Sequence, residues 1–189
     1  MRLIFGGVTL AFLTAIAAAQ APREPAATRR AAAPAARKPV GTLAQVMRGI
    51  YFPNSNLIFD VQQNDPGAPK QKSETAGTST ATYSGAYAGW EIVENAAVAL
   101  TDGVDLILQP GRTCQNGKPV PVSQPDFQKF ARDMREAGRV ALQAARTKNQ
   151  EKVSDATNNI ADACSSCHEV YRDKGPADSP ARCTPPPKK

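Results

Sequence analysis

Apolar residues recur at helical spacing in four stretches of the chain, separated by segments rich in Gly, Pro, Ser and Thr. In the first, Leu43, Val46, Met47, Ile50, Leu57, Ile58 and Val61 fall on one face, the recurrence of an amphipathic helix. Thr42 and Gln45 are spaced as a capping box, so the helix is expected to begin there. Pro53 interrupts the run. A proline inside a helix costs about 3 kcal/mol, yet the apolar phase from Ile50 to Leu57 stays in register across it. The pattern therefore predicts one kinked helix rather than two.

A polar stretch follows Gln63 to about Ser84, and then Trp90, Val93, Ala97, Leu100, Val104 and Ile107 mark a second helix that Pro110-Gly111 stops. Residues 111–122 read as a loop carrying Cys114 and the turn pair Asn116-Gly117. Ser123 and Asp126 open a third helix, whose face is Phe127, Phe130, Met134, Ala137 and Ala141. The fourth starts near Thr147, carries Val153, Ile160, Cys164, Cys167 and Tyr171, and is expected to end at Gly175-Pro176. No strand pattern competes. Four amphipathic helices with mostly short connections predict an all-α, up-down-up-down four-helix bundle. In that topology the start of helix one, the loop between helices two and three, and the end of helix four lie at one end.

The flanks read differently. Met1-Arg2 followed by the apolar run Leu3 to Ile16 and the small residues Ala17, Ala18 and Ala19 is expected to be a secretory signal peptide, residues 1–19, cut before Gln20. The run is too short for a comfortable membrane span, so no transmembrane span is expected after its removal. Residues 20–39 are almost all Ala, Pro and Arg without periodicity, a disordered linker. The helical domain then covers 40–176, and 177–189 form a Pro-rich tail.

Charge changes the picture only through that linker. The chain has 23 Lys+Arg against 17 Asp+Glu. Removing Arg2, Arg23, Arg29, Arg30, Arg37 and Lys38, with Glu24, leaves 17 against 16 for residues 39–189. The folded part is near neutral, so nucleic acid is not an expected partner, because such a domain concentrates its basic residues on the fold. One His in the chain excludes any site needing two imidazoles from one subunit.

Cys164-Ser165-Ser166-Cys167-His168 is the C-x-x-C-H pattern of covalent c-type haem attachment. On a helix, positions i, i+3 and i+4 share a face, so both thiols can reach haem vinyl groups while the imidazole meets the iron. An exported chain is where such a pattern is expected. A disulfide within the motif leaves the adjacent His unexplained. A zinc site with Cys114 and Cys183 lacks finger or ribbon spacing, and a thioredoxin-like pair expects a βαβ context.

The motif extends as Cys164-Ser165-Ser166-Cys167-His168-Glu169-Val170-Tyr171-Arg172, in the last of four helices, and there the chain resembles the cytochrome c′ family of four-helix c-type cytochromes, including its low-spin, Met-ligated relatives. The resemblance covers roughly residues 42–175. It implies a bundle with one covalently bound haem c on Cys164 and Cys167, His168 as proximal iron ligand, Tyr171 as the aromatic after it, and Arg172 near a haem propionate. Family members are often dimers through helices one and two, so the resemblance allows a homodimer, while the signal peptide implies a periplasmic location. The long basic tail, the long first loop, Pro53 and the second Cys pair depart from the family.

With His168 used, the sixth position falls to Met, another weak donor or none. Counting helical rise from the expected boundaries puts Met47 about 7.5 Å and His168 about 10 Å from the same bundle end, with Met134 about 15 Å up as a core filler. Met47 is the favoured sixth ligand; core packing with an open iron site is the alternative. Phe127 and Phe130, about 5 and 9 Å from that end, can pack on the porphyrin. Trp90 is placed near the opposite tip, as core.

These readings define a mono-haem electron carrier with an unknown redox partner, and, as the alternative, a five-coordinate haem protein binding a small gas such as nitric oxide. An enzyme is not expected, since the haem region offers neither a second His nor an acid-base pair. The topology also brings Cys114 and Cys183 to one end, and an exported protein oxidises such a pair. A disulfide is expected there, with free thiols or an intermolecular bridge as alternatives.

Overall fold

The computed structural model describes residues 38–68 and 89–187. The expected signal peptide, the linker through residue 37 and most of the polar stretch after Gln63 lie outside the described residues. Those that are described carry helices and, among them, no strand beyond one isolated bridge between Thr113 and Pro119. No described helix is long and apolar enough to cross a membrane.

The first helical rod begins where the capping box predicts: the Thr42 side chain accepts from Gln45 N–H while the Gln45 side chain accepts from Thr42 N–H. It runs through α1 (Leu43–Val46), a π-helical segment (Met47–Tyr51), α2 (Phe52–Phe59) and a 3-10 turn (Asp60–Gln62), and the junction residues Val46, Tyr51, Phe52 and Phe59 are all right-handed helical. One continuous rod is therefore correct, and the π segment is how Pro53 is accommodated. A helical proline has no N–H and its ring clashes with the carbonyl four residues back. Widening the preceding turn, with Phe52 N–H donating to the Met47 carbonyl five residues earlier, relieves that clash.

The second helix is interrupted. α3 (Trp90–Asp102) and α4 (Val104–Ile107) meet at Gly103, where a Cβ would lie 3.1 Å from the Tyr51 hydroxyl. α5 (Pro125–Arg146) is capped at Gln124 rather than Ser123, with Pro125 at the first position and no side-chain cap bond. α6 (Gln150–Tyr171) is capped by Asn149, which accepts from Lys152 N–H. It ends at Tyr171, short of Gly175, so His168 lies three residues, about 4.5 Å, from the helix end rather than about 10 Å.

α3 packs on α5, α5 on α6, and α2 on both α3 and α6. The core between them includes Ile58, Val61, Val93, Leu100, Val104, Ala141, Val153 and Ile160, with Phe127 and Met134 also buried. Trp90 is half-buried against it. At the far end of the rod, Gln62 Nε2 donates to Thr157 Oγ1 at 2.6 Å and Gln150 Nε2 to the Val61 carbonyl at 2.9 Å, fixing the rod to the first half of α6.

The near end gathers three segments. Leu43 N–H donates to the Thr113 carbonyl at 2.8 Å, Asn116 Nδ2 to the Ser179 carbonyl at 2.8 Å, and Cys183 N–H to the Tyr171 carbonyl at 2.9 Å. Buried Arg112 binds the Leu106 and Gly41 carbonyls and the Gln109 side chain, tying loop to rod through satisfied donors rather than an ion pair. A disulfide joins Cys114 to Cys183, 69 residues apart, with Cα atoms 6.6 Å apart.

Candidate functional site

A cavity of about 330 Å³ opens at this near end. The last two turns of α6 supply Cys164, Cys167 and His168, which line it together as the i, i+3, i+4 spacing requires. Met47 lines it from the start of the π segment, and Phe127, Phe130 and Met134 from α5. Both motif thiols are free while the other Cys pair is bridged. Met47 lies four residues, about 6 Å, from the start of its rod, against about 4.5 Å for His168 from the end of α6. Met134, assigned to the core alone by its depth, is buried but also reaches the cavity wall.

Aromatic rings form one side. Tyr171 stands edge-on to Phe127 at 5.2 Å between centroids and to Phe130 at 6.3 Å, a geometry that aromatic quadrupoles favour. Its hydroxyl donates to Asp126 Oδ1 at 2.8 Å. From the first rod, buried Tyr51 donates to the Leu100 carbonyl at 3.2 Å and also lines the cavity. Arg172 lines the mouth, its guanidinium held by the Asp173 carboxylate at 2.7 Å.

Burial governs the protonation states. It pushes the Cys164 thiol up and the Cys167 thiol up to about 11, so both are protonated near neutrality and resist oxidation to a local disulfide. Burial, then the Arg172 charge, lowers the His168 pKa and keeps the imidazole neutral, the form that ligates a metal. Burial and then Asp126 raise the Tyr171 phenol.

Two thiols, a neutral imidazole and a thioether facing an apolar cavity with aromatic walls fit a covalently held haem. Sequence reasoning missed the cavity roles of Tyr51, Met134, Arg48 and Arg182. A signal existed for the last two, since Arg48 follows Met47 and Arg182 precedes the bridging Cys183.

The family model of Cytochrome C′ matches residues 120–172, from the end of the loop through α5 and α6 to Arg172. The match supports the resemblance to that family, and with it a c-type haem protein. No curated protein and no solved structure matches the chain.

Proposed function

We propose that the protein is a periplasmic mono-haem c-type cytochrome that transfers single electrons, exported by its N-terminal signal peptide, built as an up-down-up-down bundle, and not an enzyme. The observation that carries this reading is that Met47 and His168 line one cavity with both motif thiols, in a chain with no second imidazole. Cys164 and Cys167 would hold the group as thioethers, His168 would give its ring nitrogen to the iron, and Met47 its sulfur. A haem bound there supplies one-electron exchange at its iron. The chain's own part would be to offer the same two ligands, His168 and Met47, in both oxidation states, which limits reorganisation, and to exclude water with the Tyr171, Phe127 and Phe130 rings. Its redox partner would be another protein that meets the open cavity mouth.

Optical and electron paramagnetic resonance spectra of the matured protein in both oxidation states test the reading. Low-spin ferric and ferrous forms are expected. A high-spin wild-type protein would overturn the Met47 assignment in favour of the five-coordinate, gas-binding alternative. Absence of covalent haem in a host with c-type maturation would overturn both.

A further inference from the structure

Among the described residues, the ionisable cationic groups lining the cavity apart from His168 are three arginines, Arg48, Arg172 and Arg182, and no carboxylate lines it. The three are not equivalent. Arg172 is engaged by the carboxylate of Asp173. Arg48 reaches the neutral amide of Gln115 at 2.9 Å. Arg182 donates Nε and Nη2 to one neutral acceptor, the Gly175 carbonyl, at 3.0 and 2.7 Å, and no ion pair among the described residues includes it.

The backbone around Arg182 is over-determined. Asn116 Nδ2 binds its carbonyl at 3.0 Å, and its own N–H donates to the Ser179 carbonyl. The next residue, Cys183, is cross-linked to Cys114 and donates to the Tyr171 carbonyl. Cys183 sits at φ 56°, a left-handed conformation that persists only where surroundings enforce it. A guanidinium that lines an apolar cavity, hydrogen-bonded to one carbonyl and reached by the Asp173 carboxylate only through space, keeps donors for a planar anion taken from that cavity.

We propose that Arg182 binds a propionate of the haem, and that the Cys114–Cys183 cross-link holds it there. The proposal rests on the haem reading above and moves the propionate contact from Arg172, which is hydrogen-bonded to Asp173, to a residue beyond the matched segment 120–172. A cation beside the propionate favours the reduced haem, which carries one positive charge less, so its loss lowers the midpoint potential.

The test uses the full-length matured protein as wild type, Arg182→Lys, Arg182→Gln and the Cys114→Ser/Cys183→Ser pair. Midpoint potential and the propionate bending band in resonance Raman are read on the haem-loaded fraction. Arg182→Gln is expected to lower the potential and shift the band, Arg182→Lys to keep the potential near wild type through its charge while shifting the band, and the Ser pair to move both readings in the Gln direction by a smaller amount. A Gln variant identical to wild type, or a Lys variant whose potential falls as far as that of Gln, would overturn the propionate contact. An unmoved Ser pair would overturn the role of the cross-link. Wild-type protein without covalent haem would instead sink the underlying reading.

Discussion

The Tyr171 hydroxyl donates to Asp126 Oδ1 at 2.8 Å, joining the last residue of α6 to the first turn of α5, and the same oxygen accepts Phe127 N–H at 2.9 Å. One carboxylate therefore satisfies a first-turn N–H of α5 and anchors the ring beside the haem motif. Tyr171→Phe keeps the ring contacts and removes only the bond. A hydrogen bond to a charged group contributes about 1.5–3 kcal/mol, so the urea midpoint should fall with an unchanged m-value. An unmoved midpoint would mean that water serves Asp126 equally well. The pH dependence has a definite sign. The folded phenol titrates above its ordinary value of 10.0, so its stabilising contribution is present below about pH 10 and is lost as pH rises further. The alkaline loss should be smaller in Tyr171→Phe, and part of it remains because Tyr51 is raised in the same direction by burial.

Two methionines line the cavity, Met47 and Met134, and substitution separates their roles. Met47→Ala should convert a low-spin ferric spectrum to high-spin and speed the binding of small ligands. Met134 is buried, so Met134→Ala should leave the spin state alone while costing about 2–5 kcal/mol of stability through the cavity it leaves. A high-spin Met134→Ala protein with an unaffected Met47→Ala protein would exchange the assignments.

Gly138 on α5 lies close against Thr101 of α3. A Cβ there would lie 2.6 Å from Thr101 Oγ1 and 3.0 Å from Thr101 N, and the hydroxyl is already held by the Ala97 carbonyl at 2.8 Å. Overpacking of this kind costs about 1–3 kcal/mol, more than the roughly 0.8–1 kcal/mol that alanine gains over glycine in a helix. Gly138→Ala should therefore lower the melting temperature. Gly49→Ala, whose Cβ meets nothing within 4 Å, is the control and should be neutral or stabilising.

The sequence showed the helices and the haem motif because both depend on local spacing. Leu43 to Val61 read as one rod from its apolar phase alone, and Cys164, Cys167 and His168 share a face by arithmetic. What it concealed depends on tertiary contact. The π segment before Pro53 depends on backbone relief that no side-chain pattern encodes. Gly103 looks like any helical glycine until the Tyr51 hydroxyl is seen beside it. Ser123 had the better capping chemistry, yet Pro125 fixed the start of α5 one residue later. Arg182 sat in a stretch that reads only as Pro-rich tail, and its place at the cavity follows from a cross-link to a residue 68 positions upstream of it.

That cross-link supports the last prediction. Cys114 is buried, and its partner closes a span of 69 residues that includes α5, α6 and both flanking turns. In the chain-entropy model such a loop removes about 4 kcal/mol of freedom from the unfolded state. The folded state loses less on its removal than a lone staple would imply, because Asn116 and the Cys183 N–H still bind the tail. Cys114→Ser/Cys183→Ser should therefore unfold at a lower urea concentration by an amount worth about 2–4 kcal/mol, with α6 and the haem motif intact. Non-reducing peptide mapping of the wild type should yield one linked pair containing Cys114 and Cys183. Alkylation of either Cys in the unreduced, unfolded wild type, or a Ser pair as stable as the wild type, would count against the bridge as the staple of this end of the bundle.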